Sequence, residues 1–228
     1  MTYSKYFRAL WAVSAALLLA GVMTAHALQL GRREAAEWIQ TLERTERVSG
    51  LKIDEILARL DLKPGMVIAD IGSGSGVFSR PLAKAVAPSG KVIAVDIEPG
   101  LLSYVSERAM KENIKNIETH LAVPDDAKLG GPIVDLVFIH DVLHHIEHRD
   151  VYLKNLAKYI KPDGRLALIE INFTDPEAPH REQPEQQVSM DQIMQWTAAA
   201  GLKQVQQFDL FPGKKHFLIF ALDEHAGH

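Results

Sequence analysis

The chain has no cysteine, which excludes disulfides, thiol nucleophiles, a lipid-bearing cysteine and Cys-ligated zinc together. It also has no excess of positive charge. The formal net charge is −4, with acids spread along 228 residues, so the basic face that nucleic acid needs is missing. No Gly-x-Ser-x-Gly elbow is present, which removes the commonest α/β hydrolase signature. What remains is 47% hydrophobic and 24% charged, enough apolar material for one ordinary core without staples.

The first thirty residues differ from the rest. Lys5 and Arg8 precede an uncharged run from Ala9 to Ala25, followed by Ala25-His-Ala27. Those are the parts of a secretory signal peptide, so residues 1–27 read as a cleaved leader and export or a periplasmic address follows. Cleavage there removes two cations and takes the net charge from −4 to −6. The alternative is a retained anchor, with membrane association through residues 9–25, although 17 uncharged residues is short for a span.

Residues 28–228 read as a single domain, with a helical cap over 28–62 and a core over 63–222. Trp38, Ile39, Leu42 and Val48 are spaced as a helical stripe, and a second helix runs from Ile53 to Leu60. From Met66 on, strands and helices alternate. Expected strands are Val67–Asp70, Val92–Asp96, Ile117–Leu121, Leu136–His140 and Leu166–Glu170, with helices at Val77–Val86, Leu101–Lys111 and Val151–Ile160. Near-continuous apolar strands mark a parallel sheet covered on both faces. The end breaks this rhythm. A capping box at Ser189 and Gln192 starts the helix Met190–Ala200, and strands Lys203–Leu210 and His216–Leu222 flank a five-residue link. So short a link forces antiparallel pairing. The fold expected is α/β: a doubly wound, seven-stranded, mostly parallel sheet with a C-terminal antiparallel hairpin and an N-terminal helical cap. Phe173–Gln187 is a long loop of the kind that usually carries function.

The chemistry concentrates where the first strand runs into Asp70-Ile-Gly-Ser-Gly-Ser-Gly76. Glycines there let the backbone turn sharply, and the following helix offers free N–H groups. Asp96 ends the next strand, where an acid hydrogen-bonds the ribose of an adenosine ligand.

Four segments together resemble the class I S-adenosylmethionine-dependent methyltransferases, especially the small-molecule group related to quinone biosynthesis. They are Ala69 to Gly76, Val95-Asp96, Val134 to His145, and Leu156 to Leu166. The leader and the stretch around Trp38 are also similar to predicted exported bacterial methyltransferases. The resemblance implies a Rossmann-like methyltransferase fold, S-adenosyl-L-methionine as cofactor and a small-molecule acceptor. It implies that Gly72, Gly74 and Gly76 pass the methionine portion, and that Asp70 reaches its amino group through water. Asp96 would bind both ribose hydroxyls and Ile97 would lie against adenine. Asp126, or Asp125, would meet the adenine amine, and the carbonyl of His140 would take the methionine ammonium.

Four histidines, His140, His144, His145 and His148, lie within nine residues. His140-Asp-Val-Leu-His144 imitates the H-E-x-x-H zinc motif, which needs both histidines on one helix face. A strand end at His140 denies that, so no metal is expected. His145 is the candidate substrate-side base, while packing and capping suffice for His144 and His148. His180 and Arg181 could meet an anionic or phenolic acceptor from the long loop. Two other functions fit less well. A nicotinamide-dependent oxidoreductase would prefer G-x-G-x-x-G over Gly-x-Gly-x-Gly, and a non-catalytic adenosine-binding module would keep the turn and Asp96 without turnover.

Overall fold

A computed structural model of the chain describes residues 35–131 and 133–223. The expected leader, and residues 28–34 of the expected cap, lie outside the described residues. Among those described, no helix is long and apolar enough to cross a membrane. Three short helices come first: α1 (Ala35–Leu42), α2 (Thr45–Gly50) and α3 (Ile53–Leu57). The expected helix to Leu60 stops at Leu57 because the chain tightens into i→i+3 bonds, Arg59 N–H to Ile56 and Leu60 N–H to Leu57. Ile56 and Leu60 are nevertheless fully buried, as their spacing requires.

The sheet follows. β1 (Val67–Ile71), β2 (Lys91–Asp96), β3 (Ile117–Leu121), β4 (Val134–His140) and β5 (Ile160–Ile171) are parallel, and β6 (Leu202–Phe208) and β7 (Lys215–Leu222) are antiparallel. The seven-strand order is β3-β2-β1-β4-β5-β7-β6. The fold is the mostly parallel, doubly wound sheet that the sequence pattern implied, with β7 seated between β5 and β6. Helices α4 (Ser79–Val86), α5 (Pro99–Lys111) and α6 (Arg149–Ala157) connect the parallel strands, and α7 (Met190–Ala199) precedes β6. Its Ser189–Gln192 capping box is formed in both directions.

Alternation along the strands divides the core in two. Ala69, Ile71, Val137 and Ile139 pack with Leu153, Leu156 and Ile193 on one face. Ile68, Leu136 and Phe138 pack with Leu82, Val86, Ile56 and Phe217 on the other. Burial on both faces explains why these strands read as unbroken apolar runs.

A second boundary also differs from the expectation. α6 ends at Ala157 and β5 begins at Ile160, where a helix end and turn were expected. Ile160 pairs with Val134, and the register slips between Val134 and Leu136. This bulge absorbs Pro162, which cannot donate to a ladder. Gly164 is required there, since a Cβ would stand 2.7 Å from Ile160 Cγ2.

Candidate active site

Strand order reverses at β1, whose neighbours are β2 on one side and β4 on the other. The crevice beyond the carboxyl ends of β1 and β4 is where doubly wound sheets bind ligands. The glycine turn, Asp96 and the His140–His145 segment sit at this end, while the Leu156–Leu166 segment enters β5 at its amino end.

The glycine turn follows β1. Gly72, Gly74 and Gly76 have φ of 64°, 55° and 74°, a left-handed conformation that costs other residues roughly 1–2 kcal/mol each. Their missing Cβ atoms also make room for neighbours. A Cβ on Gly72 would lie 2.5 Å from Val142 Cγ2, and one on Gly74 would lie 2.9 Å from Leu42 Cδ1. The glycines thus admit the post-β4 residue Val142 and the cap residue Leu42 against the turn.

Two carboxylates hold this turn. Asp70 is buried and accepts a 2.5 Å hydrogen bond from Ser79 Oγ at the start of α4. Burial pushes Asp70 up to about 7, against the Ser79 bond that stabilises its ionised form, and the nearby Asp96 raises it further. Asp96 ends β2 and accepts from Gly74 N–H at 2.8 Å and from Glu98 N–H at 3.0 Å. Its burial raises its pKa and those backbone donors oppose the rise. Arg80 fastens the far side. It donates to the Ser75 carbonyl and bridges Glu43 of the cap to Glu112 behind α5.

Around the turn lies a pocket walled by Leu42, Arg47, Asp70, Phe78 and His140. Ser73 Oγ, Ser75 Oγ, His140 Nε2 and, at the next residue, Asp141 Oδ1 are buried without a hydrogen-bond partner. Orphaned buried polar atoms are costly, and a cluster of them beside a glycine turn is a site shaped for a polar ligand. His140 is held below its usual range, at about 4, chiefly by burial, so its ring is neutral. It lies against Phe78 at 4.7 Å between centroids. Asp141, with φ of 54°, turns the chain out of β4 and is paired with Lys215 of β7.

Expected adenine-side residues are placed as follows. Ile97 is exposed beside Asp96. Asp126 accepts from Tyr159 Oη at 2.6 Å and from Lys128 N–H at 2.9 Å. Asp125 pairs with His148 at 3.0 Å. An adenine amine at Asp126 would therefore share an occupied carboxylate. Sequence reading passed over Arg47, Ser73, Ser75 and Lys215. The serines carried a signal, since they fill the variable positions of the turn.

The histidines separate as their elements dictate. His140 ends β4, while His144 and His145 lie on a 3₁₀ turn over Leu143–His145. The two histidines of the zinc-like spacing thus share no helix face. His144 is buried and bonds Glu170 rather than capping a helix, and exposed His148 precedes α6. Partial burial of its ring, then His144 and His180, push His145 down to about 4, leaving it neutral at pH 7 but a weak proton acceptor.

A glycine turn at the switch point, an acid ending β2 and an antiparallel seventh strand inserted beside β5 define a class I S-adenosylmethionine-dependent methyltransferase. Sequence comparison agrees: a methyltransferase-domain family profile matches residues 62–215, and the chain belongs to that family. Curated relatives include two proteins named ubiquinone/menaquinone biosynthesis C-methyltransferase UbiE. The one from Cupriavidus metallidurans is 28% identical, and the one from Burkholderia vietnamiensis 30%, each over 118 residues. Those matches cover 51% of this chain and 47% of the relatives, so the chain spans about half their length. Among solved structures, an S-adenosylmethionine-dependent methyltransferase from Aquifex aeolicus is similar in fold, with a TM-score of 0.73 and 23% identity. That likeness covers 83% of this chain and 98% of the other.

Proposed function

We propose that the chain transfers a methyl group to a small-molecule acceptor by direct in-line displacement. The observation that carries this reading is the pocket of unpartnered buried polar atoms around the glycine turn, whose Gly74 N–H is held by Asp96. The residues fit S-adenosylmethionine, which when bound supplies an already activated methyl sulfonium. The chain's part is binding, alignment and exclusion of water. Asp96 keeps lone pairs for two ribose hydroxyls while its backbone donors fix its orientation. Ile97 offers an apolar edge to adenine. Ser73 and Ser75 supply the missing hydroxyl partners, and the His140 carbonyl and Asp70 receive an ammonium. Phe78 and the neutral His140 ring close the wall. The names of the curated relatives favour a small organic acceptor, as does a net charge of −4 against a nucleic-acid one.

The leader belongs to the same reading. Lys5, Arg8, the run Ala9–Ala25 and Ala25-His-Ala27 support delivery to or across a membrane. N-terminal sequencing of protein from fractionated cells tests it. A mature start at Leu28 is expected, and an intact N-terminus in the soluble cytosolic fraction rejects it.

The pocket itself is tested by calorimetric titration with S-adenosylhomocysteine. Because burial raises Asp70 to about 7, it holds a proton below that pH, and an arriving ammonium favours the ionised form. Binding at pH 6 should therefore release close to one proton, read as different heats in buffers of different ionisation enthalpy. Asp70→Asn should abolish the difference. In the free protein the same shift has the opposite pH sense. The folded state binds more protons than the unfolded one between about 4 and 7, so stability falls as pH rises across that window. No heat of binding at any pH would reject the functional reading.

A further inference from the structure

A second cluster, outside the residues assigned to the cofactor, gathers on the turn that follows β4. His144, His145 and His180 each present a ring nitrogen, and these atoms lie within 4.8 Å of one another. Two come from the 3₁₀ turn after β4 and the third from the long loop after β5, 35 residues further on. Ring centroids stand 4.0 Å apart for His144 and His145, 5.3 Å for His144 and His180, and 5.4 Å for His145 and His180. We propose that these three histidines form a binding site for a divalent transition metal, with zinc the natural occupant.

Three features of the surroundings support a built site rather than a chance grouping. The first is Glu170, fully buried at the end of β5. Its carboxylate accepts the His144 main-chain N–H at 3.1 Å and the Ile171 N–H at 2.7 Å, and it lies 2.7 Å from His144 Nδ1. With Nδ1 of His144 against the Glu170 carboxylate, Nε2 is the ring nitrogen on the far side from it and the one that a metal would take. A carboxylate behind one imidazole nitrogen, orienting the other toward a cation, is the usual outer support of a histidine–metal bond.

The second feature is His180, whose φ is 61°. A left-handed histidine is uncommon and costs about 1 kcal/mol or more, and here it accompanies a ring that lies tilted to His144 and edge-on to His145. The third is Arg149, which ties the two contributing segments together. Its guanidinium donates to the carbonyls of Leu143 (3.1 Å) and His144 (2.9 Å) on the turn, and of Glu185 (2.6 Å) on the loop. Phe173, at the loop's other end, packs its ring edge-on against His144.

Zinc–nitrogen bonds of about 2.0–2.1 Å place tetrahedral ligands roughly 3.4 Å apart. Small side-chain rotations of exposed His145 and half-buried His180 close the present spacing, while Glu170 holds His144 still. Neutral imidazoles without thiolates or bound carboxylates suit zinc, copper or nickel and not magnesium or calcium. Three protein ligands leave a fourth position for water or an anionic oxygen, the arrangement of reactive rather than structural zinc sites. In this assignment His145 is a ligand instead of a proton acceptor.

The test is independent of methyl transfer. Metal-stripped protein is titrated with zinc against a chromophoric chelator, and with cobalt(II) for the visible bands of a tetrahedral nitrogen site. One zinc per chain at submicromolar affinity is expected. His180→Ala and His145→Ala should each weaken it at least 100-fold, and Glu170→Gln by about 10–100-fold. His148→Ala and His216→Ala should leave it unchanged. Circular dichroism confirms that each variant is folded, and because His145 and His180 lie outside the core their replacement is well tolerated. Absence of stoichiometric zinc binding, or binding that survives both His180→Ala and His145→Ala, overturns the site. Titration with S-adenosylhomocysteine on the same stripped samples keeps the readings apart, since cofactor binding without zinc binding rejects only this one.

Discussion

Asp96→Ala is expected to reduce affinity for S-adenosylhomocysteine by at least about 100-fold, the largest binding effect of any single substitution in the pocket. Each hydrogen bond to a charged group contributes about 1.5–3 kcal/mol, and two ribose hydroxyls would lose their acceptor together. The same substitution frees the Gly74 and Glu98 N–H groups that Asp96 now receives, so the turn loses one of its ties to β2 and keeps the Ser73 N–H bond to Val95. Calorimetry measures the first effect, and thermal unfolding of the free protein measures the second. A variant that keeps wild-type affinity would remove Asp96 from the site. One that loses stability in proportion to affinity would reduce it to a structural tie. Asp96→Asn separates these further, because an amide keeps one oxygen for Gly74 but loses the charge.

Within the glycine turn, the largest stability effect is expected at Gly72. Alanine there must adopt a φ of 64° and bring its Cβ to 2.5 and 2.7 Å from the two Val142 methyls. The backbone conformation costs about 1–2 kcal/mol and overpacking about 1–3 kcal/mol more. For a domain of this size the sum corresponds to a fall in Tm of roughly 10 °C. The two causes are separable. Val142→Ala removes the methyls and leaves φ unchanged, so the double variant should recover the packing share only. Independent effects that simply add would refute the contact between the glycine turn and the post-β4 segment.

These two predictions rest on features of unequal legibility. The parallel strands could be read because burial on both faces leaves them almost purely apolar, and Asp96 could be read because it ends one of them. The hairpin was legible from the shortness of its link. The body of β5 was legible at Leu166–Glu170 but its start was not, since Lys161-Pro-Asp-Gly164 has turn chemistry and is strand only through the irregular register between Val134 and Leu136. Asp126 has a family position, but its bonds to Tyr159 and Lys128 come from tertiary packing without local signature. His180 is the clearest case. A search for metal ligands by spacing compares residues on one element, as in His140 and His144, and rejects them correctly on that ground. The set brought together by the fold has its third member in another loop, held by Arg149, and no periodicity links it to the first two.

Leu42 and Arg47 belong to the short N-terminal helices, yet they line the same pocket as the glycine turn. A molecule seated on Asp96 and Ser73 would lie beneath them. Release of such a molecule is then expected to involve these helices, which Arg80 ties to the glycine turn through Glu43. Weakening this tie should speed exchange while the sheet stays intact. Exchange of a bound molecule is thus expected to depend on the Arg80–Glu43 contact as well as on the sheet residues beneath it.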